Sequence, residues 1–133
     1  MWTFNNLIIS SLTDIPNGAI GFIYKIHNIT TNKAYIGRKA IMHKKSLKPL
    51  KNKKRKRIMF SESDWLTYTG SNDILNQEIA DGHKIEKEIL RFCFSKKQMS
   101  YYELKYLMIH EVLESFAFYN GNISGKFFRK DVK

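Results

Sequence analysis

The chain is 133 residues long, enough for one compact domain and too short for two of ordinary size. Apolar residues make up 43%, which excludes wholesale disorder, and 23 Lys and Arg against 12 Asp and Glu give a formal charge of +11. The single cysteine, Cys93, excludes an internal disulfide framework and fits a reducing compartment; no stretch approaches the roughly 18 apolar residues of a membrane span, and no basic segment precedes the short apolar run at the N-terminus, so no secretory signal is expected.

Residues 1–18 read as an N-terminal extension closed by the turn signal Asp14-Ile15-Pro16-Asn17-Gly18. Ala19 to His27 is rich in β-branched and aromatic residues and predicts a strand; the polar set Asn28 to Lys33 predicts a hairpin turn, and Ala34 to Arg38 a second strand. Residues 38–57 (RKAIMHKKSLKPLKNKKRKR) hold 11 Lys or Arg and no acid, leaving the rest of the chain balanced at 12 of each sign. Such a block repels itself and is expected as a mobile loop until an anion neutralises it. Its chemistry is that of phosphate-backbone binding with counterion release, so the expected partner is a nucleic acid. A localisation-like tract (KNKKRKR) or a merely solvated loop are the plainer alternatives.

Further on, Ser61-Glu62-Ser63-Asp64 resembles a capping box and predicts a helical turn ahead of Trp65, Leu66 and Tyr68. Ser71 is expected to cap a helix through Ile74, Leu75 and Ile79, stopped at Gly82. His83 to Phe94 alternates as a third strand, and Ser95 or Ser100 opens the longest helix, to about Ser115, with Leu104, Leu107, Met108 and Val112 as its apolar side. The fold class implied is α+β: a small sandwich with a three-stranded antiparallel sheet flanked by helices.

The four histidines have no metal-ligand spacing with Cys93 or each other, and neither a P-loop nor a nucleophile elbow is present. What stands out is a strand pair carrying Tyr24 and, eleven positions on, Tyr35-Ile36-Gly37, which a hairpin can bring onto one face. By itself such a pair reads as half-buried packing.

In its spacing, GFIYKIHNITTNKAYIGRKA resembles the defining motif of the GIY-YIG nuclease family: Gly21-Phe22-Ile23-Tyr24, a hairpin, then Tyr35-Ile36-Gly37. DWLTYTGSNDIL, GHKIEKEIL, Tyr102-Glu103-Leu104-Lys105-Tyr106 and Phe118-Tyr119-Asn120-Gly121 follow in the family's order, and the likeness is to phage-encoded free-standing members. The resemblance implies a nuclease domain over residues 19–124 with a basic insertion at 38–57 and a basic tail at 125–133. It implies Mg²⁺- or Mn²⁺-dependent hydrolysis of a DNA phosphodiester. Glu103 matches the metal-holding glutamate, Tyr24 the tyrosine that binds or deprotonates the attacking water, Tyr35 the one that orients water or phosphate, and Asn120 the residue that supports the site. Gly21 and Gly37 are the structural glycines, Gly37 where the backbone must come close to another group.

One departure stands out. Many members carry an arginine on the first helix, four positions before a His or Tyr; Tyr68 fits the second slot, but the first holds Asp64. The cation is therefore sought elsewhere, with Arg57 ahead of Arg38, and Arg55 and Lys39 still open. Lys39, Lys44, Lys45, Lys53, Lys54, Arg55 and Lys56, with Lys126, Arg129 and Lys130 of the tail, are expected on the duplex backbone. A double-strand break would need a dimer on DNA or sequential nicking. The expected location is the cytoplasm of a bacterial host for a phage-encoded enzyme of homing or DNA-degrading type. A non-catalytic nucleic-acid-binding module on the same fold and a basic RNA-binding domain are the competing readings.

Overall fold

In the computed structural model, which describes residues 1–132, the first residues already belong to the main sheet. Strands β1 (Trp2–Phe4) and β2 (Leu7–Ile9) form a hairpin around Asn5 and Asn6, both at positive φ (49° and 68°), a conformation asparagine tolerates and tight hairpins require. Trp2 is fully buried, its Nε1 donating to the Trp65 carbonyl at 2.6 Å and its ring edge-on to Phe22 at 5.0 Å. Residues 2–9, read from sequence as part of an extension, are thus sheet and core.

β3 (Gly21–Asn28) pairs antiparallel with β4 (Lys33–Ala40) on one side and with β7 (Ile85–Cys93) on the other. These are the three antiparallel strands expected. The sheet is nevertheless five-stranded, in the order β2-β1-β7-β3-β4, because β1 runs parallel along the other edge of β7 with Trp2 opposite Lys87. This leaves β4 as one of the two sheet edges.

The basic block is not a mobile loop. Its flanks pair as β5 (Met42–Leu47) and β6 (Arg57–Glu62), a two-stranded ribbon joined by residues 48–56. The like charges gather in the connection, while Ile58, Met59 and Phe60 give one leg the side chains that suit a strand. This pairing also removes the helical turn expected at Ser61: Ser61 and Glu62 are laddered to His43 and Met42, and Asp64 begins a turn closed by Thr67 N–H to Asp64 C=O at 3.2 Å.

α1 (Asp73–Ala80) starts one residue later than expected, capped by Asn72, whose side chain accepts from Leu75 N–H at 2.9 Å. α2 (Lys96–Ile109) is capped by Ser95, which accepts from Gln98 N–H at 3.1 Å, and ends well before Ser115. Leu107 and Val112 are buried as expected, but Leu104 and Met108 face solvent, so the buried stripe of α2 is narrower than its spacing suggested. A last small ribbon joins β8 (Asn122–Ile123) to β9 (Phe127–Phe128).

The helices sit on opposite faces of the sheet. Leu75 of α1 closes a core of Trp2, Phe22, Tyr24, Ile26 and Trp65, whereas Met99 and Leu107 of α2 close one of Ile23, Ile36, Cys93 and Val112. No helix among the described residues is long and apolar enough to cross a membrane.

Candidate active site

Successive side chains of a strand alternate, so Tyr35, Gly37 and Lys39 of β4 face the α1 side with Tyr24, while Ile36 and Arg38 face α2. Tyr24 and Tyr35 have ring centroids 6.2 Å apart, and Tyr68, arriving on the turn after Trp65 rather than on a helix, packs edge-on to Tyr24 at 5.9 Å. Tyr24 is only 1% exposed. A Cβ at Gly37 would stand 2.6 Å from the Tyr24 hydroxyl oxygen and 2.9 Å from the ring carbon that bears it, so no other residue fits there. Gly70, at φ +85°, is close as well; its Cβ would lie 3.4 Å from the same oxygen, so the hydroxyl lies near two residues that lack side chains. Gly21 is equally constrained, since a Cβ would meet the Lys39 carbonyl at 2.7 Å.

Glu103 comes from α2, over the opposite face. Its Oε1 lies 3.9 Å from Nε of Arg38, and Arg38 Nη1 donates to Ser100 Oγ at 2.8 Å. The two faces meet at the edge strand: Tyr35 and Glu103 line one cleft of about 390 Å³, with Ser71, Asn72, Leu107 and Asn120. The tyrosine–glutamate arrangement is therefore one site, wrapped around the edge of β4. Electrostatics agrees. Burial, then the Tyr68 and Tyr35 phenols, with a smaller push from Glu103, drives the Tyr24 phenol far above its ordinary 10.0. Burial also raises Tyr35 against a hydrogen bond to Ser71 Oγ at 3.0 Å, with Glu103 adding to the rise. Burial pushes the Glu103 carboxyl up, and Arg38 pulls it back down. Tyr24 is accordingly a neutral phenol that can donate and accept a hydrogen bond at neutral pH.

Arg38, not Arg57, is the arginine that lies beside Glu103. Arg57 pairs with Leu47 at the tip end of the ribbon, five positions out from the root pair Met42–Glu62, or about 17 Å along the strand. There its Nε donates to the Lys48 carbonyl at 3.3 Å. Arg55 lies in the connection at the same end. Lys39 is close to the tyrosines but engaged: Nζ is 2.6 Å from Asp64 Oδ1 and 4.1 Å from the centroid of the Tyr68 ring. Asp64, which stands where the family motif carries an arginine, anchors a lysine from the strand instead, and that hydrogen bond holds its carboxyl below the usual range.

Asn120 is architectural. Its side chain accepts from Ile36 N–H at 3.1 Å and donates to Ile36 C=O at 2.8 Å, closing part of the β4 edge that no strand covers. Arg129, expected on DNA, is turned inward: its two terminal nitrogens reach the carbonyls of Val112, Leu113, Ser115, Phe118 and Asn120 at 2.6–3.1 Å. It holds the segment that carries Asn120. Lys44 and Lys45 on β5, Lys53, Lys54 and Lys56 in the connection, and Lys126 between β8 and β9 are exposed. Sequence reading missed Gly70, Ser71 and Ser100; the Gly-Ser-Asn turn signal of residues 70–72 was the available pointer to the first two.

Among the described residues there is no group of three or more His, Cys, Asp or Glu that could hold a metal. Glu103 is the acidic group in the cleft, and none of its oxygens is hydrogen-bonded to another described residue; Arg38, at 3.9 Å, is its ion-pair partner. A single half-buried carboxylate with open lone pairs fits Mg²⁺, which is usually held by one or two carboxylates and completes its shell with water and phosphate.

Comparison with family models gives a match to "Putative endonuclease segE, GIY-YIG domain" over residues 2–123, so the match includes the β1–β2 hairpin and the ribbon. Searches of curated proteins and of solved structures returned no match. With the motif tyrosines, Gly37 and Glu103 gathered around the edge strand β4 and nearly the whole chain aligned, this protein belongs to the GIY-YIG endonuclease-domain family, in its SegE-type branch.

Proposed function

We propose that this protein is a metal-dependent DNA endonuclease that hydrolyses one phosphodiester per active site, of the free-standing phage type. The observation that carries the reading is the cleft shared by Tyr35 and Glu103 beside the Tyr24 hydroxyl at Gly37. Glu103 would hold Mg²⁺ or Mn²⁺. Such an ion supplies Lewis-acid stabilisation of charge building on phosphate oxygens and on the leaving oxygen.

The chain's own residues do the rest. Tyr35, steadied by Ser71, presents a hydroxyl to a water or phosphate oxygen in the cleft. Tyr24 orients the attacking water through a neutral phenol, because burial raises its pKa. Arg38 presents a planar guanidinium fork that can turn from Glu103 to a phosphate oxygen once a cation takes up the carboxylate. Exposed lysines of the ribbon hold the duplex by its backbone. Two copies acting on opposite strands, or one copy acting twice, would give a double-strand break.

The Asp64–Lys39 pair, which replaces the usual arginine, is what favours a second reading, a DNA-binding remnant without activity. Supercoiled plasmid separates the two. Nicking with Mg²⁺ or Mn²⁺, absent in EDTA and reduced at least about a hundredfold in Glu103→Gln with DNA binding retained, is the expected result. Binding without nicking under any metal would make the chain the remnant.

A further inference from the structure

The β5–β6 ribbon carries more than charge. Ile58, Met59 and Phe60 are 56%, 55% and 63% exposed, on a ribbon whose register leaves both faces uncovered beyond its root. A two-stranded ribbon is marginal in water and gains nothing from three bare apolar side chains unless something covers them. The root, by contrast, is fixed. Ile41 is buried, with its N–H donating to the Ile20 carbonyl at 2.8 Å, and Ser63 N–H donates to Ile41 C=O at 2.8 Å.

The two faces of the ribbon differ. One carries Met42, Lys44, Ser46, Ile58, Phe60 and Glu62, with Lys44 opposite Phe60, Ser46 opposite Ile58, and Glu62 opposite Met42 at the root, where its carboxylate accepts from Trp65 Nε1 at 2.9 Å. At its root, Met42 lines a cleft of about 510 Å³ together with Arg38, Lys39, Tyr68 and Lys96. This face is therefore continuous with the basic wall of the active site. Its residue types are those that read base edges: a lysine for guanine O6 and N7, a hydroxyl for either kind of partner, and apolar groups for the thymine methyl. A B-DNA major groove is about 12 Å wide and admits a two-stranded ribbon, whereas the minor groove, about 6 Å wide, takes strands only where the duplex is bent or widened.

Building on the nuclease reading, we propose that β5–β6 enters the major groove of the DNA substrate with the Lys44–Ser46–Ile58–Phe60 face toward the bases. The lysines and Arg55 of residues 48–56 grip the flanking phosphates, and Arg38, with Glu103 beside it, lies at the ribbon's root by the cut strand. The ribbon then supplies the sequence preference, and the charged tip supplies affinity without it.

Dimethyl sulfate footprinting tests this with the full-length chain in EDTA on mixed-sequence duplexes, since the reagent marks guanine N7 in the major groove and adenine N3 in the minor. Wild type should protect guanine N7. Ile58→Ser/Phe60→Ser and, separately, Lys44→Ala should lose that protection and even out the distribution of plasmid cut sites, with preferred over scrambled sites falling about tenfold. Lys44→Ala leaves the apolar pair in place and so guards against a collapsed ribbon. Met59→Ser, on the other face, should change neither readout. Protection confined to adenine N3, or nicking with an unchanged cut-site distribution in both variants, overturns the groove assignment while the nuclease reading stands. A chain that neither nicks plasmid nor binds duplex overturns both.

Discussion

Around Gly37 the molecule is tightly packed, and a single methyl group between β4 and the Tyr24 hydroxyl would force Tyr24 to shift. A few residues further along the chain, beyond Ile41, the β5–β6 ribbon stands in water with its charges and apolar side chains uncovered. The first region fixes atoms at the cost of lifting the pKa of Tyr24, Tyr35 and Glu103; the second has its groups exposed and leaves their placement to a partner. A cleavage site needs the former, because small displacements of an orienting hydroxyl cost large factors in rate. A surface that travels along a polyanion needs the latter, because counterion release depends on charge and reach rather than on fixed geometry.

Changes that blur this contrast should have graded effects. The largest is expected from Gly37→Ala, which sets a Cβ 2.6 Å from the Tyr24 oxygen. Overpacking of this kind costs about 1–3 kcal/mol, so chemical denaturation should show that loss, with nicking reduced more than duplex binding because Tyr24 must shift. A next step is neutralising Lys53, Lys54, Arg55 and Lys56 to Gln. The slope of log affinity against log salt should fall by up to about 3.6, with the unfolding midpoint unchanged, since these side chains are exposed in the connection. An unchanged slope would take the tip off the DNA.

The smallest effect is in the pH profile. Burial raises the Glu103 pKa, and the ionised carboxylate is the form that takes a cation, so nicking should fall on acidification at a pH above the ordinary carboxylate range. Because Arg38 is what pulls that pKa down, Arg38→Ala should move the acid limb to higher pH still, whatever it does to the maximal rate. The sign for folding is opposite. A raised folded-state pKa means the ionised form is the less stable one, so the penalty grows as pH rises through that pKa, and Glu103→Gln should not lower the unfolding midpoint at neutral pH.

Much of this contrast was legible in the sequence. Spacing across a hairpin marks out Tyr24, Tyr35 and Gly37, because alternating side chains leave few places for them to go, whereas Glu103 and Asn120 stand out only through the resemblance to the GIY-YIG family. The hairpin of residues 2–9 was overlooked although Trp2, Phe4 and the Asn5-Asn6 turn were all visible; the parallel pairing of β1 with β7 joins residues more than eighty positions apart, which no local pattern encodes. The ribbon was taken for a loop because charge density outweighed the strand character of Ile58, Met59 and Phe60. The same error put Arg57 near the site, since sequence distance to Tyr68 says nothing about the tip of a projecting hairpin. Arg129 looked like one more exposed cation, and only its tertiary ring of carbonyls reveals it as a clamp on the Asn120 segment.

The buried hydroxyl of Tyr24 separates function from packing most directly, because Tyr24→Phe removes one oxygen and keeps the ring that Trp2, Tyr35 and Tyr68 pack against. Nicking of supercoiled plasmid in Mg²⁺, compared at DNA concentrations giving equal occupancy, should fall by about a hundredfold or more in this variant with its unfolding midpoint held. Nicking at the wild-type rate would mean that the tyrosine is core alone and that the edge of β4 is not where the strand is cut.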